Sequence, residues 1–236
     1  MARKKLEEAA VSTTTLISNN PKSIAAEAYR TLRTNIQFYD VGEPVKRLMV
    51  TSAGPGEGKS TTLANLAISF TQNGSKVILV DADLRRPTAH KRFEVSNLRG
   101  VTDVLTGKSN LEQALQNTHI EGLRILTCGS IPPNPSEMLG SKKMRELIDS
   151  LAGMADIVLI DAPPVLAVTD AAVLATAVDG VLLVAWSGQV SREMAQKAKA
   201  QLEAVRARIL GVVLNGIKID GSQQHYYNYY EHEKKA

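Results

Sequence analysis

Apolar runs of strand length alternate with segments of helical spacing from residue 46 to residue 217. KRLMVTS (46–52), KVILVDAD (76–83), LRILTC (123–128), DIVLIDAPP (156–164), GVLLVAWS (180–187) and ILGVVLNGI (209–217) are read as strands. Four of them are rich in consecutive Val, Ile and Leu, as expected of strands covered on both faces. Between them, TTLANLAISFTQNG (61–74), SKKMRELIDSLAG (141–153), TDAAVLATAVDG (169–180) and SREMAQKAKAQLEAVRAR (191–208) have helical spacing, and several end at glycine. The alternation predicts an α/β fold, a mostly parallel β-sheet with helices on both faces.

One further helix is expected over PKSIAAEAYRTLRTNIQF (21–38), with Pro at its start and an apolar face of Ile24, Ala28, Leu32 and Ile36 packed beside the sheet. Residues 1–20 read as a flexible arm, 21–219 as one folded domain, and 220–236 as a tail too polar to bury its aromatic rings. That tail holds Tyr226, Tyr227, Tyr229 and Tyr230, four of the six tyrosines in the chain.

Composition narrows the classes. At 236 residues and 44% hydrophobic content the chain can bury a substantial core. No window approaches the ~18 to 20 apolar residues of a membrane span, and the glutamates of MARKKLEEAA stand where a signal peptide needs its apolar stretch. A soluble cytoplasmic protein is expected. The one cysteine, Cys128, sits in a strand-like run and reads as a structural thiol. A net charge of +4 and a pI near 9.1 would allow an acidic partner, but the basic residues come in short groups. A solvated surface is expected, and no nucleic-acid groove.

The chemistry gathers at strand ends. SAGPGEGKST follows the first strand and opens a helix, the setting a phosphate-binding loop requires. Gly54, Pro55, Gly56, Glu57, Gly58, Lys59, Ser60 and Thr61 form this candidate site. Its glycines let backbone N–H groups converge on an anion, Lys59 can reach the outer phosphates, and Ser60 can offer its hydroxyl to Mg²⁺. The first glycine of the usual G-x-x-x-x-G-K-[S/T] pattern is Ala53 here. Asp81 and Asp83 end the second strand in VDADLRRP, and Asp161 ends a later one in LIDAPP. Three carboxylates converging beside a phosphate loop call for a cation, so Ser60, Asp81, Asp83 and Asp161 are the candidate Mg²⁺ set. LNGIK lacks the guanine-reading N-K-x-D pattern, and Asn215 could set its amide against adenine. ATP and Mg²⁺ are therefore the expected cofactors.

These motifs resemble those of the bacterial P-loop protein-tyrosine kinases of capsular and exopolysaccharide biosynthesis. The resemblance runs from Pro21 to the end and rests on PGEGKST, VDADLRRP, LIDAPP, GSIPPNPSEML, the tyrosine-rich tail and the helix motif E-x-x-R-x-x-R at Glu27, Arg30 and Arg33. It implies a P-loop NTPase fold of the deviant Walker, MinD/ParA-like kind, with 21–219 as the kinase domain. It also implies that Tyr226, Tyr227, Tyr229 and Tyr230 are phosphorylated in the active site of a neighbouring subunit, and that Glu27, Arg30 and Arg33 serve assembly of a homo-oligomeric ring. Lys59, Asp81, Asp83 and Asp161 become the catalytic candidates, with either Asp81 or Asp83 accepting the tyrosine proton; Asp81 is preferred. Implied partners are a separate transmembrane activator that regulates polysaccharide chain length and draws the kinase to the inner face of the membrane, and other proteins phosphorylated on tyrosine. Two rival functions fit parts of the pattern: an ATPase switch of the partitioning class, whose extra loop lysine is replaced here by Gly54, and a nucleotide-dependent scaffold that transfers nothing.

Overall fold

The structure, a computed structural model, describes residues 17, 20–39 and 44–217. Apart from Ile17 and Asn20, the two expected arms lie outside the described residues, and so do the four clustered tyrosines. Among the described residues, seven strands form one sheet: β1 Arg47–Ser52, β2 Val77–Asp81, β3 Leu115–Asn117, β4 Leu123–Leu126, β5 Ile157–Asp161, β6 Gly180–Trp186 and β7 Ile209–Asn215. Their order is β3-β4-β2-β5-β1-β6-β7, all parallel except the short edge strand β3, which runs antiparallel to β4.

Alternation along each strand divides the core into two layers. Leu48 and Val50 of β1, with Leu79, Leu159 and Leu182, pack against Leu63, Leu66, Ala67 and Phe70 of α2 (Lys59–Thr71). Met49, with Ile78, Val80, Val158 and Ile160, faces the opposite way. There it meets Met144, Leu147, Ile148 and Leu151 of α7 (Lys142–Ala152) and Ala198 and Leu202 of α9 (Arg192–Ala204). Each fully buried Leu or Ile contributes about 1.5–3 kcal/mol, which makes these two layers the source of the sheet's cohesion. Ser141 and Ser191 cap α7 and α9 by accepting from the backbone N–H of Met144 and Met194.

The first described helix, α1 (Ile24–Gln37), is capped by Ser23 and lies on α2. Its inward face is the expected one in part: Ile36 is buried and Leu32 packs on the core, but Ala28 is exposed and Ala26 is buried in its place. A repeat of four drifts about 40° per step on a helix of 3.6 residues per turn, so the half-buried stripe also takes in Tyr29 and Arg33. Four short helices between β2 and β5 had no sequence signal: α3 (Ala89–Arg92), α4 (Val101–Leu105), α5 (Leu111–Ala114) and α6 (Pro135–Leu139). The expected helix at 169–180 is one turn and a half, α8 (Asp170–Leu174), followed by a 3₁₀ turn (Ala175–Ala177). No helix among the described residues is long and apolar enough to cross a membrane.

The inward turn of Arg33 separates it from its two motif partners. Arg33 Nη1 donates to the Ser69 carbonyl of α2 at 2.6 Å, whereas Arg30 pairs with Glu27 at 2.5 Å on the exposed surface. Exposed i, i+3 pairs contribute only about 0.2–0.5 kcal/mol. We therefore expect Arg33→Ala to lower the melting temperature by several degrees, leaving α1 loosely held. The double change Glu27→Ala, Arg30→Ala should leave it within a degree or two of wild type, and any loss of assembly would appear in light scattering alone.

Candidate active site

β1 lies between β5 and β6, and the loop after it is framed by groups from both sides. Within the loop, Ser52 Oγ donates to the Gly54 carbonyl at 2.7 Å, and the buried Glu57 carboxylate accepts the Gly54 N–H. Gly56 and Gly58 adopt φ of 82° and 86°, a left-handed backbone that costs glycine little. At Gly58 there is a second constraint: a Cβ there would come within 2.6 Å of Asn215 Nδ2. Ala53 is buried and keeps a negative φ, so its side chain is accommodated where the usual pattern has glycine.

Lys59, the first residue of α2, is the electrostatic centre. Its Nζ lies 2.9 Å from Asp83 Oδ2, 3.0 Å from Asp161 Oδ1 and 3.3 Å from Ser60 Oγ. Burial works against its charge, but Asp161 and Asp83 outweigh it and hold the ammonium above the usual lysine range. Asp81 and Asp161 are register partners on β2 and β5, which fixes the two carboxyls at the same level of the sheet. Asp81 is fully buried. Its Oδ2 accepts the backbone N–H groups of Thr88 and Ala89 at 3.0 and 2.9 Å, and among the described residues its Oδ1 has no hydrogen-bond partner. Burial, and then repulsion from Asp161, push its carboxyl up to about 7. Asp83 Oδ1 accepts from Arg86 N at 3.0 Å.

The carboxyl ends of β2 and β5 thus bring together Lys59, Ser60, Asp81, Asp83 and Asp161. Among the described residues, no three His, Cys, Asp or Glu side chains are set to hold a metal ion by themselves. A divalent cation nonetheless suits the donor set, since an orphaned buried oxygen and two carboxylates crowd one lysine. It would be shared by Ser60, these acids and phosphate oxygens.

Asn215 has a role that the sequence did not suggest. Its Nδ2 donates to the Glu57 carbonyl and to Thr62 Oγ1, both at 3.0 Å. The amide N–H₂ thus holds the phosphate loop to the start of α2. Cys128 is buried, with its thiol pushed up to about 12 chiefly by burial, as suits a structural residue.

A network that sequence reasoning missed supports the acids. Arg85 Nε and Nη2 donate to the two oxygens of the buried Asp170 at 2.9 and 3.0 Å, and Ser136 Oγ donates to Asp170 as well. Burial opposes the Asp170 charge, but Arg85 and Ser136 overcome it and hold its carboxyl below the usual range. These contacts tie the loop after β2 to α8 and to α6, which begins within the GSIPPNPSEML stretch. The second arginine-bearing half of VDADLRRP was the available signal, but Asp170 lies 85 positions away.

A mostly parallel sheet carrying a phosphate loop, a lysine at the first position of the following helix and acids at neighbouring strand ends defines a P-loop NTPase. A family model of the ParA group, described as an NUBPL iron-transfer P-loop NTPase, matches residues 44–235. Tyrosine-protein kinase YwqD of Bacillus subtilis is 46% identical over 98% of this chain and 96% of its own length. Two solved structures superpose closely. The chimerical protein CapA2B2 has a TM-score of 0.84 and 38% identity, covering 87% of this chain and 91% of that one. The kinase domain of Escherichia coli tyrosine kinase Etk has 0.83 and 39%, covering 86% and 79%. The chain belongs to the bacterial P-loop tyrosine-protein kinases, and its enzyme class is tyrosine-protein kinase.

Proposed function

We propose that this kinase uses Mg-ATP and phosphorylates its own C-terminal cluster, Tyr226, Tyr227, Tyr229 and Tyr230, between subunits. The observation that carries the reading is the buried constellation at one edge of the sheet, with Lys59 bridging Asp83 and Asp161 and Asp81 poised beside them. A tyrosine hydroxyl, with a pKa near ~10, needs a carboxylate to take its proton. Asp81, with its raised pKa and unpartnered Oδ1, is suited to that role. As the tyrosine Oη bonds to the γ-phosphorus, the bond to the β-γ bridging oxygen breaks, ADP leaves with that electron pair, and the phenolic proton passes to Asp81. Lys59 compensates the charge on the terminal phosphate oxygens. Mg²⁺, when bound, would neutralise charge on the β and γ oxygens.

β7 runs parallel to β6, so it delivers the chain to the same edge as the phosphate loop. The cluster begins 11 residues after Asn215, which is itself bonded to that loop. Reach therefore permits transfer within or between chains, and the choice of neighbours rests on the family resemblance. We place the kinase in capsular or exopolysaccharide synthesis, as a homo-oligomeric ring assembled through the motif of Glu27, Arg30 and Arg33, in which Glu27 and Arg30 offer the exposed contact and Arg33 holds α1 on α2. A separate transmembrane activator would recruit it to the membrane; a relative solved as the chimerical CapA2B2 supports a second protein of this kind. Each phosphotyrosine adds about −1.5 to −2 charges, so a fully modified tail would be repelled from the acids of the neighbour's site and would favour ring release.

A mixing experiment tests the route. The donor carries Phe at all four tail positions, and the acceptor carries Lys59→Ala with its tail intact. Phosphate on the acceptor is the expected result. An unmodified acceptor beside a self-phosphorylating wild type would place transfer within one chain, and an unmodified wild type would remove the kinase reading of the tail altogether.

A further inference from the structure

The sheet order assigns each end of a bound nucleotide to a side. On one side of β1, strands β5 and β2 end in Asp161, Asp81 and Asp83; on the other, β6 and β7 end in the register partners Trp186 and Asn215. A triphosphate held by the loop, with its terminal group toward Lys59 and the acids, runs its nucleoside toward β6 and β7. At that place stands the chain's one tryptophan.

Trp186 is 39% exposed although it ends a strand that is otherwise buried. Its indole is seated on backbone: a Cβ at Gly216 would fall 2.4 Å from Nε1 and 2.5 Å from Cε2, and one at Gly58 would lie 3.7 Å from Cζ3. Both glycines have left-handed backbone, with φ of 69° and 86°, so conformation and close approach each demand glycine there. The ring is supported beneath by Gly216, edged by the phosphate loop, and partly open to solvent. The turn that follows is closed by Gln189 and Val190 N–H groups donating to the Trp186 carbonyl, both at 3.1 Å, which fixes the residue's backbone.

A flat aromatic surface, rigidly held and half open beside a phosphate loop, is what a purine stacks on. We propose that Trp186 is the stacking platform for the nucleotide base and positions it for the kinase reaction. Asn215 serves it indirectly, by holding the loop against its edge. This inference rests on the Mg-ATP reading above.

Because the chain has a single tryptophan, its emission reports this site alone. Wild-type protein is titrated with ADP and Mg²⁺, with binding followed in parallel by calorimetry. The emission should change saturably with the calorimetric affinity. Trp186→Ala should weaken ADP binding and raise the KM for ATP roughly tenfold, with the loss in KM rather than kcat. Trp186→Phe should recover most of the affinity, which a purely structural defect would not allow. Calorimetric binding with unchanged emission, or a Trp186→Ala protein that binds as tightly as wild type, would overturn the proposal while sparing the Mg-ATP reading. No calorimetric binding to wild type would remove both.

Discussion

Lys59→Ala is expected to abolish tyrosine phosphorylation, with a loss of at least about 10²-fold, the scale seen when one preorganised donor to a developing charge is removed. The same change should alter stability in a diagnostic way. Lys59 is the partner of Asp83 and Asp161, whose side chains are 7% and 2% exposed. Breaking a buried ion pair from one side costs on the order of 3–5 kcal/mol because the remaining charge stays buried. Here two carboxylates would be stranded beside Asp81. The variant's melting temperature should therefore fall in the absence of metal and recover on addition of Mg²⁺, which supplies the missing positive charge. A folded variant whose melting point ignores Mg²⁺ would argue against metal binding at these acids, and retained transfer would remove Lys59 from the chemistry.

Asp81→Asn should separate catalysis from stability in opposite directions. Loss of the proton acceptor should reduce transfer by about 10²- to 10⁴-fold. The amide oxygen can still accept the Thr88 and Ala89 N–H groups, so the loop after β2 keeps its anchor. The sign of the stability change follows from the raised pKa. Asp81 holds its proton up to about 7 in the folded protein against 3.8 in the reference state, so between those values the unfolded chain binds fewer protons and stability falls as pH rises. Above pH 7 a buried carboxylate is forced to ionise, at a cost on the order of 4 kcal/mol. Asp81→Asn removes that cost. The variant should melt higher than wild type at pH 7 to 8, and the advantage should shrink toward pH 4. A variant that turns over normally would move the base to Asp83.

The strands and the phosphate loop were legible because their signals are local. Consecutive Val, Ile and Leu in β2, β5 and β6 mark strands covered on both faces, and GEGKST between a strand and a helix fixes its own geometry through glycine and the helix terminus. Asp81, Asp83 and Asp161 could be placed at one edge because parallel strands end together. What stayed hidden depends on partners distant in sequence. The bridge from Arg85 to Asp170 joins elements that no periodicity connects, and Asn215 could not be recognised as a clamp until β7 was seen beside Glu57 and Thr62. Helices α3 to α6 have four or five residues each, too few for a period to show. In α1, counting by fours placed Ala28 inward and left Arg33 outward, when 3.6 residues per turn half-bury Tyr29 and Arg33 and bond Arg33 to α2.

The constellation around Lys59 is expected to transfer phosphate to the tyrosine cluster of this chain. Intact mass of the wild-type protein before and after incubation with ATP and Mg²⁺ tests it most directly, with fragmentation to locate any modification. Successive phosphoryl additions confined to Tyr226, Tyr227, Tyr229 and Tyr230 are the expected result, with none on Lys59→Ala incubated alone. An unchanged wild-type mass, in protein shown to bind ATP, would contradict it.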